Sequence, residues 1–175
     1  MNIAVYCGAN PGNNPAYRTA AKELGTWIGE NNHRLIYGGG DVGLMGEVAN
    51  ACLAAGGEAI GIMPQFLIDR EIAHDHLTQL ITVQTMSERK QKMLDKSDIC
   101  VALPGGPGTM EEIIEAISWE RVGQSTNPCF LYSVVHYYDD LADHFQRMVT
   151  EGFLTEDDYS RVHFITSLSD LEAYL

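Results

Sequence analysis

The stretch LPGGPGTMEE at 103–112 places three glycines between a strand-like apolar run and a predicted helix. Glycine-rich backbone at a helix N-terminus binds phosphate, because unpaired N–H groups and the helix dipole both favour an anion. The stretch has no lysine, which a Walker A loop requires, so the pattern argues against an NTPase. It predicts a site for a small phosphorylated ligand.

Two carboxylates, Glu111 and Glu112, follow this loop within the first turn of the predicted helix. They leave two interpretations open. Thr109 and Glu112 have the T-x-x-E spacing of a capping box, in which the glutamate only accepts a hydrogen bond from the threonine backbone. Alternatively, a carboxylate at this place stabilises positive charge on a sugar or activates a water molecule beside it. The spacing alone favours the capping box.

A basic pair, Arg89 and Lys90, lies near the start of another predicted helix, at 87–97, which follows a strand-like run. The helix dipole is positive at this end and favours acidic residues, so a basic pair is out of place there. The pair is either solvated surface charge or a cationic group directed at a phosphate or a carboxylate across a cleft.

Two further glycine-rich loops follow strand-like runs. The loop at 37–46 fits G-x-G-x-x-G through Gly38, Gly40 and Gly43, the pattern that dinucleotide sites place between a strand and a helix. The next strand should then end in an acidic residue that binds a ribose, yet it ends in Met-Pro-Gln. The loop therefore indicates a nucleotide site rather than an NAD site. The loop at 6–17 is either an ordinary turn or a source of backbone N–H groups that face the same ligand.

Other chemistries find no support in the residue spacing. The four cysteines stand singly in apolar runs without a C-x-x-C pair, which is typical of buried reduced thiols. The six histidines are scattered, so neither a zinc site nor a Ser-His-Asp arrangement can be assembled. No lysine lies in the apolar setting of a Schiff-base lysine. We expect neither a metal ion nor a cofactor.

The bulk composition restricts the partners of the chain. A net charge of −13 over 175 residues opposes non-specific binding to nucleic acid or to an anionic membrane. The N-terminus shows no signal-peptide pattern, and no apolar run approaches the ~18 residues of a membrane span. We expect a cytoplasmic protein that binds neither nucleic acid nor membrane.

Strand-like runs alternate with helical patterns along the whole chain. The strand-like runs lie at 3–7, 34–38, 58–63, 80–84, 98–104 and 128–134, and the helical patterns lie at 15–32, 43–57, 87–97, 109–123 and 137–152. A short acidic helix and a strand-like turn at 161–166 close the chain. This alternation predicts an α/β fold with a mostly parallel sheet, in a single domain over 1–175. In such sheets ligands bind beyond the carboxyl ends of the strands, where the loops described above lie.

In combination, these loops resemble one known family. PGGPGTMEE at 104–112 matches the PGGxGTxxE signature of the LONELY GUY (LOG) phosphoribohydrolases, and MSERK at 86–90 is similar to their Met-x-x-Arg-Lys segment. The loops at 37–46 and 7–17 also match, in the same order and at family-like spacing. Many members carry the label lysine decarboxylase, an activity against which the missing PLP lysine speaks.

The resemblance implies a Rossmann-like, doubly wound fold, a homodimer and a small nucleotide as substrate. The implied reaction is hydrolysis of the N-glycosidic bond of cytokinin riboside 5′-monophosphates, which releases the free base and ribose 5-phosphate. Many members also accept AMP.

The resemblance also assigns residues. Arg89 and Glu112 fall on the arginine and glutamate that are essential in the family. Together with the loop patterns, it places substrate binding at Glu71, Lys90, Gly105, Gly106, Pro107, Gly108, Thr109, Met110, Glu111, Ser118, Gly40 and Gly43. Two positions depart from the usual pattern, because Ser118 replaces a common threonine and Ser87 a common histidine. These departures affect the substrate contacts rather than the fold.

We therefore expect Glu112, held by Arg89, to stabilise oxocarbenium-like charge on the ribose or to activate the attacking water. The loop 105–109 would bind the 5′-phosphate, and the segment 40–46 would form the opposite wall of the site. Two rival functions stay open. One is a nucleotide-binding module without chemistry, such as a sensor or a carrier, and the other is an NAD-dependent oxidoreductase.

Overall fold

The computed structural model describes residues 1–70 and 73–175. Within these ranges the chain forms seven strands and eight helices. In chain order they are β1 (Asn2–Tyr6), α1 (Pro15–Glu30), β2 (Arg34–Tyr37), α2 (Gly43–Ala54), β3 (Glu58–Pro64), α3 (Gln65–Ile68), β4 (Gln79–Val83), α4 (Met86–Asp95), β5 (Ile99–Ala102), α5 (Pro107–Arg121), β6 (Cys129–Tyr132), α6 (Asp139–Thr150), α7 (Glu156–Ser160), β7 (Val162–Ile165) and α8 (Leu168–Tyr174). A 3₁₀ turn at Val134–His136 precedes α6. The predicted alternation is confirmed, whereas α3, the 3₁₀ turn and α8 are elements that the sequence patterns do not reveal.

The strands form one sheet in the order β4-β3-β2-β1-β5-β6-β7, and every pairing among the described strands is parallel. The chain winds from β1 outward to β4, crosses to β5 on the other side of β1, and continues to β7. The prediction of a doubly wound α/β fold is confirmed, with a fully rather than a mostly parallel sheet. The order reverses between β1 and β5, so the loops that follow these two strands diverge and leave a crevice.

Both faces of the central strands are buried. Ile3 and Val5 of β1 pack in the layer that contains α1 and α2, while Ala4 and Tyr6 pack in the layer that contains α4, α5 and α6. This double coverage explains why the strands read as continuous apolar runs rather than alternating ones. None of the helices in the described ranges is long and apolar enough to cross a membrane.

Helix α5 begins two residues earlier than the sequence pattern predicts. Pro107 is its first residue, where a fixed φ and a missing N–H cost nothing, and Gly106 is its N-cap. Thr109 is therefore the third helical residue, and no side chain caps the helix. The prediction of a capping box formed by Thr109 and Glu112 is wrong, which leaves the Glu112 carboxylate available for another role.

A side-chain cap does form at the start of α4. The Thr85 hydroxyl accepts a hydrogen bond from the Glu88 backbone N–H at 3.1 Å, and the Glu88 carboxylate accepts one from the Gln84 N–H at 2.8 Å. These bonds satisfy N–H groups at the helix start and fix the direction in which α4 leaves the sheet. That direction sets the position of Arg89, one helical residue further on.

Candidate active site

A cleft of about 600 Å³ opens at the point where the strand order reverses, beyond the carboxyl ends of β1 and β5. It is lined by the segments 7–12, 44–45, 66–67, 104–106 and 108–109, and by Tyr17, Met86, Arg89, Glu111, Glu112 and Tyr137. The loops after two neighbouring strands thus meet two helix starts, those of α4 and α5. This is the arrangement in which α/β proteins bind ligands.

One wall of the cleft presents hydrogen-bond donors. The backbone N–H groups of Gly106, Gly108 and Thr109 stand at or just inside the start of α5, and none of them bonds to an acceptor among the described residues. A side chain added at Gly106 or Gly108 would meet no atom within 4 Å. These two glycines therefore leave the donors open to a ligand, and the helix dipole makes an anion the favoured one.

The preceding residue, Gly105, is a glycine for a different reason. A Cβ at this position would lie 2.1 Å from Thr109 Oγ1 and 2.9 Å from the Gly8 backbone nitrogen. The loops after β1 and β5 therefore approach each other too closely for any side chain. This contact closes the floor of the cleft between the two strands.

Arg89 and Glu112 face each other in the cleft. Arg89 Nη1 lies 3.9 Å from Glu112 Oε1, and the two side chains are only 10% and 11% exposed. At this distance the two groups form an ion pair without a hydrogen bond, and no described residue donates a hydrogen bond to the Glu112 carboxylate. Burial raises the pKa of Glu112 above its ordinary value, and the Arg89 charge opposes that shift. Glu112 is thus a poorly solvated acid beside one cation, the kind of perturbed group that marks a reactive site.

The Arg89 guanidinium is fixed by the ends of two neighbouring strands. Its Nε donates a hydrogen bond to the Ile62 carbonyl of β3 at 3.0 Å. A Cβ on Gly38, directly after β2, would lie 2.0 Å from Arg89 Nη2, so only glycine leaves space for the guanidinium there. The first glycine of the G-x-G-x-x-G pattern therefore accommodates a protein cation.

Lys90 lies outside the cleft and joins α4 to α5. Its ammonium group donates hydrogen bonds to Glu111 and, at 2.8 Å, to Glu115, and its side chain is 12% exposed. Burial lowers the pKa of Lys90, but the hydrogen bonds to these two carboxylates outweigh it, so the pKa is raised overall. Two consecutive basic residues on α4 thus pair with consecutive acidic residues on α5.

The other predicted site residues are placed as follows. Gly40 pairs with Ala73 in an isolated antiparallel bridge, and neither Gly40 nor Gly43 lines the cleft. Gly43 has a φ of 62°, and a Cβ there would lie 2.2 Å from the Ala9 carbonyl oxygen. Within the segment 40–46, the wall of the cleft is formed by residues 44–45 instead.

Three predicted positions on α5 also stand outside the cleft lining: Pro107, Met110 and Ser118. Ser118 is exposed near the end of the helix, more than two turns from its start. Glu71 lies outside the described residues.

The structure adds residues that the sequence analysis did not single out. Tyr17 and Tyr137 lie at the cleft with their rings 5.7 Å apart, and Phe66, Leu67 and Met86 give it an apolar part. Tyr137 lies a few residues beyond the carboxyl end of β6, a position that could have indicated it. The other aromatic and apolar residues had no distinguishing signal.

The described residues of the cleft offer no set of metal ligands. Within residues 1–70 and 73–175, no group of three or more His, Cys, Asp or Glu side chains is arranged to hold a metal ion. Cys7 lines the cleft, but burial, reinforced by the Glu112 charge, raises the pKa of its thiol well above the ordinary value. It is therefore a neutral thiol rather than a nucleophilic thiolate.

Comparison with known proteins assigns the chain to a family. A family model described as "Possible lysine decarboxylase" matches residues 45–175. The cytokinin riboside 5′-monophosphate phosphoribohydrolase of Rhodococcoides fascians is 41% identical over 162 residues, which cover 92% of this chain and 82% of that protein. The Arabidopsis thaliana enzyme of the same name, LOG2, is 42% identical over 153 residues, covering 87% and 72%.

The fold has solved counterparts. The molybdenum cofactor carrier protein of Chlamydomonas reinhardtii superposes with a TM-score of 0.74 at 23% identity, over 99% of this chain and 94% of that one. This likeness concerns the fold alone. The two curated relatives and the family model rest on sequence over most of the chain. The chain therefore belongs to the LOG family of cytokinin riboside 5′-monophosphate phosphoribohydrolases, whose signature, at 104–112, forms one wall of the cleft.

Proposed function

We propose that this protein hydrolyses the N-glycosidic bond of cytokinin riboside 5′-monophosphates, and also that of AMP, to the free base and ribose 5-phosphate. One observation carries the proposal. The unpaired N–H groups at the start of α5 and the buried Glu112 carboxylate, on the same helix, open into one cleft. Relatives that are about 40% identical over most of this chain are named for the same reaction on cytokinin nucleotides.

The start of α5 would bind the 5′-phosphate. Its donors at Gly106, Gly108 and Thr109 are unpaired, and the helix dipole adds positive potential within the first turn. This local field can hold a phosphate although the whole chain carries a charge of −13, because solvent and salt screen distant surface charges. The phosphate would fix the ribose within the cleft.

Glu112 would act at the anomeric carbon. As the bond from C1′ to the base nitrogen breaks, its electron pair leaves with the base and positive charge develops on the ribose. A carboxylate with little solvation interacts strongly with that charge and, since its pKa is raised, is a better proton acceptor for the attacking water. Arg89 would keep the carboxylate in position and partly ionised.

The remaining contacts follow from the placement of the residues. The apolar side chains of Phe66, Leu67 and Met86 are available to the purine and its isopentenyl-type substituent. The Lys90 ammonium is bonded to Glu111 and Glu115, which supports a structural role between the helices rather than direct contact with substrate.

We also propose a homodimer located in the cytoplasm. The exposed apolar side chains of Ile114 on α5 and of Val122, directly after the helix, support a subunit contact. All four cysteines are free and buried, as is usual in a reducing compartment. The dimer is tested by size-exclusion chromatography coupled to light scattering, which measures the molar mass of the protein in solution.

The reaction is tested by incubating the protein with isopentenyladenosine 5′-monophosphate or AMP and separating the products by chromatography. We expect free base from the wild type, and a loss of at least 100-fold in Glu112→Gln and Arg89→Ala, as is typical for groups that act in the transition state. Glu151→Gln is a matched control, because Glu151 is exposed at the end of α6. Near wild-type turnover in either site variant would refute the assigned roles. Binding without product would instead favour a nucleotide-binding module.

A further inference from the structure

Two consecutive tyrosines reach from the segment after β6 to the glycine-rich loop before α5. The Tyr138 hydroxyl donates a hydrogen bond to the Leu103 carbonyl at 2.8 Å, and the Tyr137 hydroxyl donates one to the Gly105 carbonyl at 2.5 Å. Tyr138 is buried in the core, whereas Tyr137 is 42% exposed at the cleft. These bonds link the loop after β5 to the neighbouring strand.

The carbonyl between these two is also occupied. The Pro104 oxygen accepts a hydrogen bond from the Gly8 N–H at 3.1 Å. Three successive carbonyl oxygens, at 103–105, are therefore bonded to donors within the protein. A free carbonyl oxygen facing a phosphate would repel it, so their occupation makes this loop a donor surface.

The bond to Gly105 also orients the peptide that follows it. The peptide bonds of the described residues are all trans, so the N–H of Gly106 points opposite to the carbonyl of Gly105. By holding that carbonyl, the Tyr137 hydroxyl fixes the direction of the Gly106 N–H, one of the donors of the loop that has no acceptor among the described residues. Glycine on both sides of the peptide allows many other orientations in the absence of this bond.

The backbone before Tyr137 is held in an unusual conformation. Val135 has φ 51° and ψ 44°, and His136 has φ 63°, so two successive residues with side chains are left-handed. Such geometry is costly for a β-branched residue and persists only where the surrounding structure imposes it. Here the Ser133 hydroxyl accepts a hydrogen bond from the Tyr138 N–H at 2.9 Å. The strained turn thereby positions the Tyr137 and Tyr138 side chains so that both hydroxyl groups contact the loop.

We propose that Tyr137 is a positioning residue for the phosphate-binding loop, acting by holding the Gly105–Gly106 peptide with its N–H toward the ligand. This inference rests on the proposed function, since it takes the phosphate to bind at the start of α5. Tyr137 touches neither the base nor the anomeric carbon in this scheme. Its loss should therefore weaken binding of the phosphate and leave the chemical step unchanged.

The test is the variant Tyr137→Phe, which removes only the hydroxyl and keeps the ring contacts with Tyr17 and Tyr138. We expect the KM for AMP to rise about three- to tenfold, the effect of one neutral hydrogen bond, with kcat within about twofold of the wild type. The inhibition constant of ribose 5-phosphate should rise by the same factor. Tyr174→Phe is the matched control, because Tyr174 is 49% exposed on α8.

Calorimetric titration with AMP separates this inference from the proposed reaction. A wild type that binds AMP but releases no base from either AMP or isopentenyladenosine 5′-monophosphate overturns the reaction, and the affinity of Tyr137→Phe still decides the role of the tyrosine. Three- to tenfold weaker binding with an unchanged melting temperature supports that role. Equal affinity for AMP, or a fall in kcat with constant KM, overturns it.

Discussion

Replacing Gly38 by alanine tests whether the position of the Arg89 guanidinium controls catalysis. The added Cβ would lie 2.0 Å from Arg89 Nη2, whereas ordinary contact with a Cβ begins at 3.4 Å. The guanidinium would therefore have to withdraw by about 1.4 Å, the difference between these distances. It has little freedom to do so, because the side chain is buried and its Nε is bonded to the Ile62 carbonyl at 3.0 Å.

The magnitude follows from this displacement. Either the hydrogen bond to Ile62 breaks, at a cost of about 1.5–3 kcal/mol for a charged donor, or the guanidinium changes its distance from Glu112. A misplacement of about 1 Å near a reacting centre lowers the rate by about 100-fold. We therefore expect kcat/KM of Gly38→Ala to fall about 100-fold, which corresponds to about 2.7 kcal/mol.

The assay is release of free base from AMP, with thermal unfolding measured in parallel. Gly57→Ala is the matched control, since its Cβ would crowd the Gly29 Cα at 2.6 Å, away from the cleft. We expect this control to lose stability and keep its kcat at temperatures where it is folded. If a folded Gly38→Ala kept kcat/KM within about threefold of the wild type, the position of the guanidinium would not limit the reaction.

Two further predictions concern the charges around Glu112. Lys90→Met should lower the melting temperature by about 2–4 °C, because Glu111 and Glu115 lose a partly screened cation worth about 1 kcal/mol. We also expect kcat to fall about tenfold, because α4 and α5 shift relative to each other when this contact is lost. Lys92→Met is its control, since among the described residues Lys92 pairs only with Glu88, along one exposed helix face. Glu112→Gln should be at least as stable as the wild type at neutral pH, although inactive. Burial raises the pKa of Glu112 in the folded state above its value in the unfolded state. Ionisation of Glu112 therefore lowers the free energy of unfolding of the wild type as pH rises from the unfolded-state pKa to the folded-state pKa. Urea unfolding between pH 4 and 8 should show that decline in the wild type and a smaller one in the variant; a markedly less stable variant would contradict it.

The fold class could be predicted from the sequence because buried strands and helices leave recognisable patterns of apolar residues. Strands covered on both faces appear as apolar runs, and the helices between them have their own periodicity, so the α/β alternation could be predicted.

The first residue of α5 could not be predicted, because two local signals compete. Thr109 is a good N-cap residue and Pro107 is a good first residue, and the structure follows the proline.

The site was only partly predictable because its contacts cross the sheet. Arg89 is held by Ile62 and Gly38, and the loop at 103–105 is held by Tyr137, all from elements distant in sequence. These partners become neighbours through the order β3-β2-β1-β5-β6, which the linear spacing of motifs does not give. The glycine-rich loops could be recognised because each is local, whereas the bonds that orient them are not.

The placement of two carboxylates beside the proposed phosphate-binding loop has a physical explanation in helix geometry. Consecutive residues on an α-helix point about 100° apart, so Glu112 faces Arg89 while Glu111 turns toward Lys90. Glu115, one turn on, shares Lys90, so three carboxylates oppose two cations and leave one net negative charge. That charge lies with the carboxylates rather than with the unpaired N–H groups of the loop, and a residual negative charge is what a cation forming on the ribose requires. The same helix start can therefore bind an anion at its backbone and stabilise a cation at its side chains.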